Sequence, residues 1–139
     1  MGSIESFKAL SEEVIEDLKK LPPTVVRVAG PLSTGGDGYE INLRRLELGK
    51  ALLQSRGLTV FTYDAKTVKA IKSAYDLHFT HFYIPILKSG LIQAIFFLQG
   101  WESSGGASYE RRLCEEQGIS IGDISHEELS AFESEHPNL

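Results

Sequence analysis

The chain is poor in the features that would narrow its environment. Cys114 is its only cysteine, so no internal disulfide can form, and a lone thiol fits a reducing compartment. No apolar run approaches the roughly 20 residues that span a bilayer, and no signal-type start precedes the first helix. The cytoplasm, with no membrane contact, is the expected setting. A basic surplus is also missing. With net charge -5 and pI near 5.4, the chain lacks the positive face on which nucleic-acid polymers dock. A small anionic ligand needs only one or two well-placed donors and is not excluded. There is no internal repeat and no linker long enough to separate domains. What is present is an ordinary globular mixture, 42% apolar and 24% charged over 139 residues. A domain of this length buries about two thirds of its unfolded surface and needs neither a metal nor a disulfide to be stable; no cofactor is expected.

Residues 3 to 20 place Ile4, Phe7, Leu10, Val14 and Leu18 at spacings of three and four, the stripe of an amphipathic helix ended by Pro22 and Pro23. This N-terminal helix, residues 1 to 22, is expected to precede an α/β domain over residues 23 to 136. Val25 to Ala29 reads as a buried strand and 32 to 38 as a glycine-rich loop. A helix over 39 to 56 carries Leu46, Gly49 and Leu53 on one side and stops at Gly57; a strand over 58 to 63 follows. Residues 65 to 78 are weakly helical, and Pro85 interrupts any helix over 81 to 89. Leu91 to Leu98 is an almost unbroken apolar run, as in a central parallel strand covered on both faces. A helix over 107 to 117 closed by Gly118, a short strand over 119 to 121 and a helix capped by Ser125 complete the chain, with fraying from Pro137. Strands alternating with helices predict a three-layer α/β/α sandwich around a parallel, Rossmann-like (flavodoxin-like) sheet. Its ligands would bind beyond the carboxyl ends of the strands.

Two glycine-rich turns fall on that edge. The first, Gly30 to Gly38, is no Walker A loop, since no Lys-Ser or Lys-Thr follows, and Gly36-x-Gly38 lacks the third glycine of the dinucleotide fingerprint. Glycines that merely turn a strand into a helix would look the same. The second, Gly100-Trp101-Glu102-Ser103-Ser104-Gly105-Gly106, opens a helix whose amides and dipole suit a phosphate or carboxylate. Glu110, read as lying in the first turn of that helix, shares a face with Leu113 and Cys114 and so points inward. An acidic residue that simply favours a helix N-terminus is the plainer account, and the inward face weighs against it.

The order Val28-Ala29-Gly30-Pro31, Asn42, a helix ended by Gly57, an apolar strand and then Gly100-Trp101-Glu102-x-Ser104-x-Gly106-Ala107-x-x-Glu110 resembles the nucleoside 2-deoxyribosyltransferase superfamily, over roughly residues 24 to 122. That superfamily includes 2'-deoxynucleoside 5'-phosphate N-hydrolases, CMP hydrolases and small uncharacterised bacterial and phage proteins. The resemblance implies that Glu110 is the nucleophile at the sugar's anomeric carbon, forming a glycosyl-enzyme that water or a second base resolves. It implies that Ser104, with the Gly105 and Gly106 turn, holds a 5'-phosphate or 5'-hydroxyl. Gly30, Pro31 and the loop Ser33-Thr34-Gly35-Gly36-Asp37 would line the sugar side, and Trp101 could border the base or simply be packed. A homodimer paired through helices beside the site is also implied.

One departure separates two readings. The family usually carries an aspartate eight positions before a second aspartate that opens the central strand; here these positions are Pro85 and Gln93. The first aspartate is the usual partner of the nucleophile, and Asp64 at the end of the second strand is the candidate substitute. An enzyme acting on the N-glycosidic bond of a nucleoside or nucleotide is thus set against a protein that binds or sequesters a nucleotide without turnover. A third reading, an interaction module, would use the N-terminal helix to dock a partner. His78 and His81 near Asp76 lack a metal-ligand signature, so no metal is expected. Arg44 and Arg45 could reach a phosphate but read first as solvated.

Overall fold

The computed structural model describes residues 4–22, 24–32, 34–62 and 78–138. All but the last residue of the expected helix over 65 to 78, the end of the second strand, Ser33 and Asp64 lie outside these residues. The described elements, in chain order, are α1 (Ile4–Lys19), β1 (Val25–Ala29), α2 (Tyr39–Ser55), β2 (Thr59–Val60), a π-helical turn (His78–Tyr83), α3 (Ile84–Lys88), β3 (Ile92–Leu98), a 3-10 turn (Trp101–Ser103), α4 (Gly105–Gln117), β4 (Ser120–Ile124) and α5 (His126–Glu135). All strand pairings are parallel, in the order β2-β1-β3-β4. The expected α/β/α sandwich is therefore the fold, and β3 lies inside the sheet between β1 and β4. Among the described residues no helix is long and apolar enough to cross a membrane.

The two periods of the sequence explain how the layers close. Successive strand residues face opposite ways, so Val25 and Ala29 join one core cluster while Val26 and Val28 join the other. The first cluster packs Phe7, Leu10 and Leu18 of α1, Ile86 and Leu87 of α3, and Leu113 and Cys114 of α4 against the sheet. The second packs Leu48, Leu52 and Leu53 of α2 with Leu129 and Phe132 of α5 on the opposite face. The apolar stripe of α1 is thus covered by the chain's own core, which removes the motive for reading that helix as a partner-docking module. A register shift in the β1–β3 pairing pairs Val25 with Ile92 but Val26 with Ala94. Gln93 is the extra residue, and the bulge lets Ile92 and Ile95 share the same cluster although they stand three apart.

Four expectations are corrected. The stretch 81 to 89 is helical: Pro85 sits in the first turn of α3, where a missing N–H costs nothing, and the wider π turn before it removes the usual clash. Among the described residues the second strand covers Thr59–Val60. The fourth is longer than expected, Ser120–Ile124, because its polar residues Ser120 and Asp123 are tolerated at an edge. Finally α4 starts at Gly105 rather than at 107, since Ser104 takes the cap position. The stops at Gly57 and Gly118 both have positive φ, as expected.

At the edge, Phe96 pairs with Gly122 of β4, and a Cβ at Gly122 would come within 2.4 Å of the Phe96 ring. The ring fills the space that a side chain would occupy. Gly122→Ala should therefore cost about 1–3 kcal/mol through overpacking, read as a lower urea midpoint with an unchanged slope. An unchanged midpoint would show that Phe96 is free to move aside.

Candidate active site

Arg27 is the one charged residue in β1, and its alternation turns it toward the face that α4 covers. A cation there must meet an anion or stay in water. It meets Glu110. Arg27 Nε donates to Glu110 Oε2 at 3.1 Å and a terminal guanidinium nitrogen donates to Oε1 at 3.3 Å. Tyr83 completes the group: its hydroxyl donates to Oε2 at 2.8 Å, and the Arg27 guanidinium lies 5.0 Å from its ring centre. Glu110 is 6% exposed and Tyr83 fully buried. Glu110 points inward as its spacing predicts, but in the second turn of α4, because the helix begins two residues earlier than expected.

The carboxylate lies six residues past the Ser104 cap, about 9 Å down the helix axis. Ser104 Oγ accepts the amide of Ala107 at 3.1 Å, so this serine's first role is to cap the helix. Its own proton is still there to donate. The amides of Gly105 and Gly106 open the helix and have no acceptor among the described residues, the normal condition of a first helical turn. The first loop meets this turn directly. Ser103 Oγ donates to Gly100 O at 2.9 Å, which leaves Thr34 Oγ1 as the donor to Ser103 Oγ at 3.2 Å. Gly35, with φ +88°, stands against Ser103 Oγ, where a Cβ would approach within 3.0 Å. Buried Asn42 holds the loop from below by donating to Leu32 O and Thr34 O, both at 2.9 Å.

Of the expected site residues, then, Pro31, Thr34 and Gly35 lie where the loop after β1 meets Gly100 and Ser103 of the loop after β3; Gly30 packs on Leu98, Trp101 and Ser104 flank Ser103 along the chain, and Gly105 and Gly106 open the helix that carries Glu110. Gly36 and Asp37 are exposed further out, and Asp37 is tied to Arg45 at 2.6 Å, which holds its carboxyl below the usual carboxylate range. Trp101 is packed: its ring meets Phe97 edge-on at 6.0 Å, and the Arg111 guanidinium covers it at 4.4 Å. Arg111 is fixed in turn by Asp123 at 2.8 Å. Arg44 reaches Glu133 of α5. Both Arg44 and Arg45 line an open cleft of ≈ 290 Å³ between α2 and α5, on the opposite face from Glu110. Among the described residues no group of three or more His, Cys, Asp or Glu could hold a metal ion.

Arg27 and Tyr83 are the site residues that motif reading missed. Arg27 had a signal: a lone charge in Val25-Val26-Arg27-Val28-Ala29, in a strand covered on both faces, requires a buried acid. Tyr83 had none, because its place depends on the π turn. No protein-family model, curated protein or solved structure matches the chain.

Cys114, one turn beyond Glu110, shows how enclosed this layer is. It is fully buried, and burial first, then the neighbouring Glu110 charge, push its thiol up to about 11. At pH 8 almost no thiolate exists in the folded protein. Iodoacetamide should therefore modify the native protein at least about a hundredfold more slowly than the urea-unfolded chain. Comparable rates, followed by intact mass, would mean that this face opens readily.

Proposed function

We propose that this protein binds a nucleoside or nucleoside 5'-monophosphate at the carboxyl edge of the sheet and cleaves or transfers its N-glycosidic bond through Glu110. The observation that carries the reading is the buried Arg27–Glu110–Tyr83 group beneath the two converging loops. A buried ion pair is a poor way to stabilise a core, since well-packed apolar residues do as well or better. A carboxylate clamped next to a ligand edge has a chemical use. In a nucleotide the width of the sugar separates the 5'-phosphate from the anomeric carbon. The amides of Gly105 and Gly106 at the start of α4 and a carboxylate further down the same helix can address both. Glu110 would attack the anomeric carbon, the C1'–N electron pair would leave with the base, and water or a second base would resolve the ester.

The resemblance adds a homodimer, and the lone cysteine a cytoplasmic setting. Exposed Leu32, Tyr39, Ile41 and Leu43 around the start of α2 are apolar surface that such pairing would cover. One observation favours the second reading, a nucleotide binder without turnover: both Glu110 oxygens already accept hydrogen bonds. Pro85, where the family carries the partner acid, points the same way.

Glu110→Gln separates the two. Incubated with a panel of nucleosides and 5'-monophosphates, wild type should release free base, and the variant should lose at least about a thousandfold of that rate with little change in affinity. Base release that survives the substitution would remove Glu110 from the chemistry; none from wild type would leave the binder. Phosphate recognition has its own test in Ser104→Gly, because glycine keeps the cap at a cost of only a few tenths of a kcal/mol. Melting should barely move while a 5'-monophosphate binds about tenfold more weakly and the nucleoside is unaffected. Equal weakening of both ligands, by calorimetry, would place the phosphate elsewhere.

A further inference from the structure

Resting on the reading of Glu110 as nucleophile, we infer that its Oε1 is the atom that bonds to the sugar, and that Arg27 and Tyr83 are positioning residues that favour breakdown of the glycosyl-enzyme. The two carboxylate oxygens are not equivalent. Among the described residues Oε2 accepts two hydrogen bonds, from Tyr83 at 2.8 Å and Arg27 Nε at 3.1 Å, whereas Oε1 accepts one, from the Arg27 terminal nitrogen at 3.3 Å. Tyr83 is fully buried, and Arg27 spans both oxygens, so the carboxylate cannot turn to exchange them. The lone pair least committed to a donor belongs to Oε1.

The same clamp acts differently on the two half-reactions. In the first, the Oε1–C1' bond forms as the C1'–N bond breaks, and its electron pair leaves with the base nitrogen, which takes a proton from solvent. Glu110 thereby loses its charge while the Arg27 guanidinium stays positive beside a neutral ester, in a layer where the thiol of Cys114 brings no compensating charge. That arrangement raises the ester's free energy relative to the carboxylate. In the second half, a water oxygen bonds to C1', the C1'–Oε1 bond breaks, its electron pair returns to Glu110, and the water's proton goes to solvent. The charge-assisted bonds from Arg27 and Tyr83 are then recovered in full. The clamp makes Glu110 a weaker nucleophile and a better leaving group, so the covalent species should not accumulate in wild type.

The test compares Tyr83→Phe, Arg27→Lys and Arg27→Met with wild type on whichever deoxyribo- or ribonucleoside 5'-monophosphate the wild type cleaves, by rapid-mixing base release and intact-protein mass. Each variant should show a burst of base, close to one equivalent for Arg27→Met, a protein mass increased by the sugar phosphate, and steady-state turnover about tenfold or more below wild type. Arg27→Lys, which keeps the charge, should accumulate less adduct than Arg27→Met. Losing a packing residue lowers the folded fraction but produces no burst. Turnover falling only with the folded fraction, and no adduct in any variant, would overturn the inference while leaving Glu110 as nucleophile. If Arg27→Met does not fold, Tyr83→Phe and Arg27→Lys decide: adduct in both supports the clamp, and in neither overturns it. Absence of base release by wild type would overturn the underlying reading and this inference together.

Discussion

The ion pair between Arg27 and Glu110 fixes how α4 lies on the sheet. Each partner would cost several kcal/mol to bury alone, so the strand and the helix settle only where the two meet. Turning α4 by one residue, about 100°, would carry Glu110 away from the guanidinium and bring Arg111 inward toward Arg27. Leu113 and Cys114 complete the same inward face, so apolar burial and charge pairing select one orientation. Tyr83 adds a condition from a third element. Its phenol reaches Oε2 from the end of the π turn, which ties the segment before α3 to both strand and helix.

From that orientation the edge of the site follows. Because Ser104 caps α4, the helix begins directly after Ser103, whose contact with Thr34 closes the distance between the two loops. Asn42 is the hidden support. From the first turns of α2 it satisfies two loop carbonyls at once, so the chain between Pro31 and Gly38 need not supply secondary structure of its own. Trp101, held between Phe97 and Arg111, fills the flank of α4. The amides of Gly105 and Gly106 and the Glu110 carboxylate thus sit on one helix. Their separation is set by helical rise rather than by loop flexibility, which suits a site that must hold a ligand at two points.

Much of this arrangement is written in local pattern. The β-branched run at Val25 to Ala29, the apolar run at 91 to 98 and the glycine stops at 57 and 118 each state a strand or a helix end through a single physical preference. Glu110 announces its inward face through its spacing to Leu113 and Cys114. The elements that pattern misreads depend on competition between preferences. A proline rule stops the helix at 81 to 89, but a proline one turn inside a helix breaks nothing when a π turn precedes it. The glycines at 105 and 106 suggest a loop, yet Ser104 is free to cap and its hydroxyl draws them into the first turn. Partners far apart in sequence leave no local trace: Tyr83 and Glu110 stand 27 positions apart, and Arg27 and Glu110 stand 83 apart.

Pro85 bears on chemistry as well as on helix geometry. The stretch that in the resembling family supplies a second acid here supplies a phenol, Tyr83, two residues earlier, and that phenol is spoken for by Glu110. A positioned general acid contributes about 10²–10⁴ in rate, so with Pro85 in that place turnover rests on Asp64 as the substitute or on bases that depart without a proton. That limit does not turn the site into a simple binding pocket. A binder gains from an exposed carboxylate that can meet a sugar hydroxyl, not from one that is 6% exposed. What the arrangement would give a nucleophile is alignment, since the guanidinium spans both carboxylate oxygens. The buried pair is costly for recognition and useful for slow covalent chemistry, which is why the catalytic reading stands ahead of the binding one.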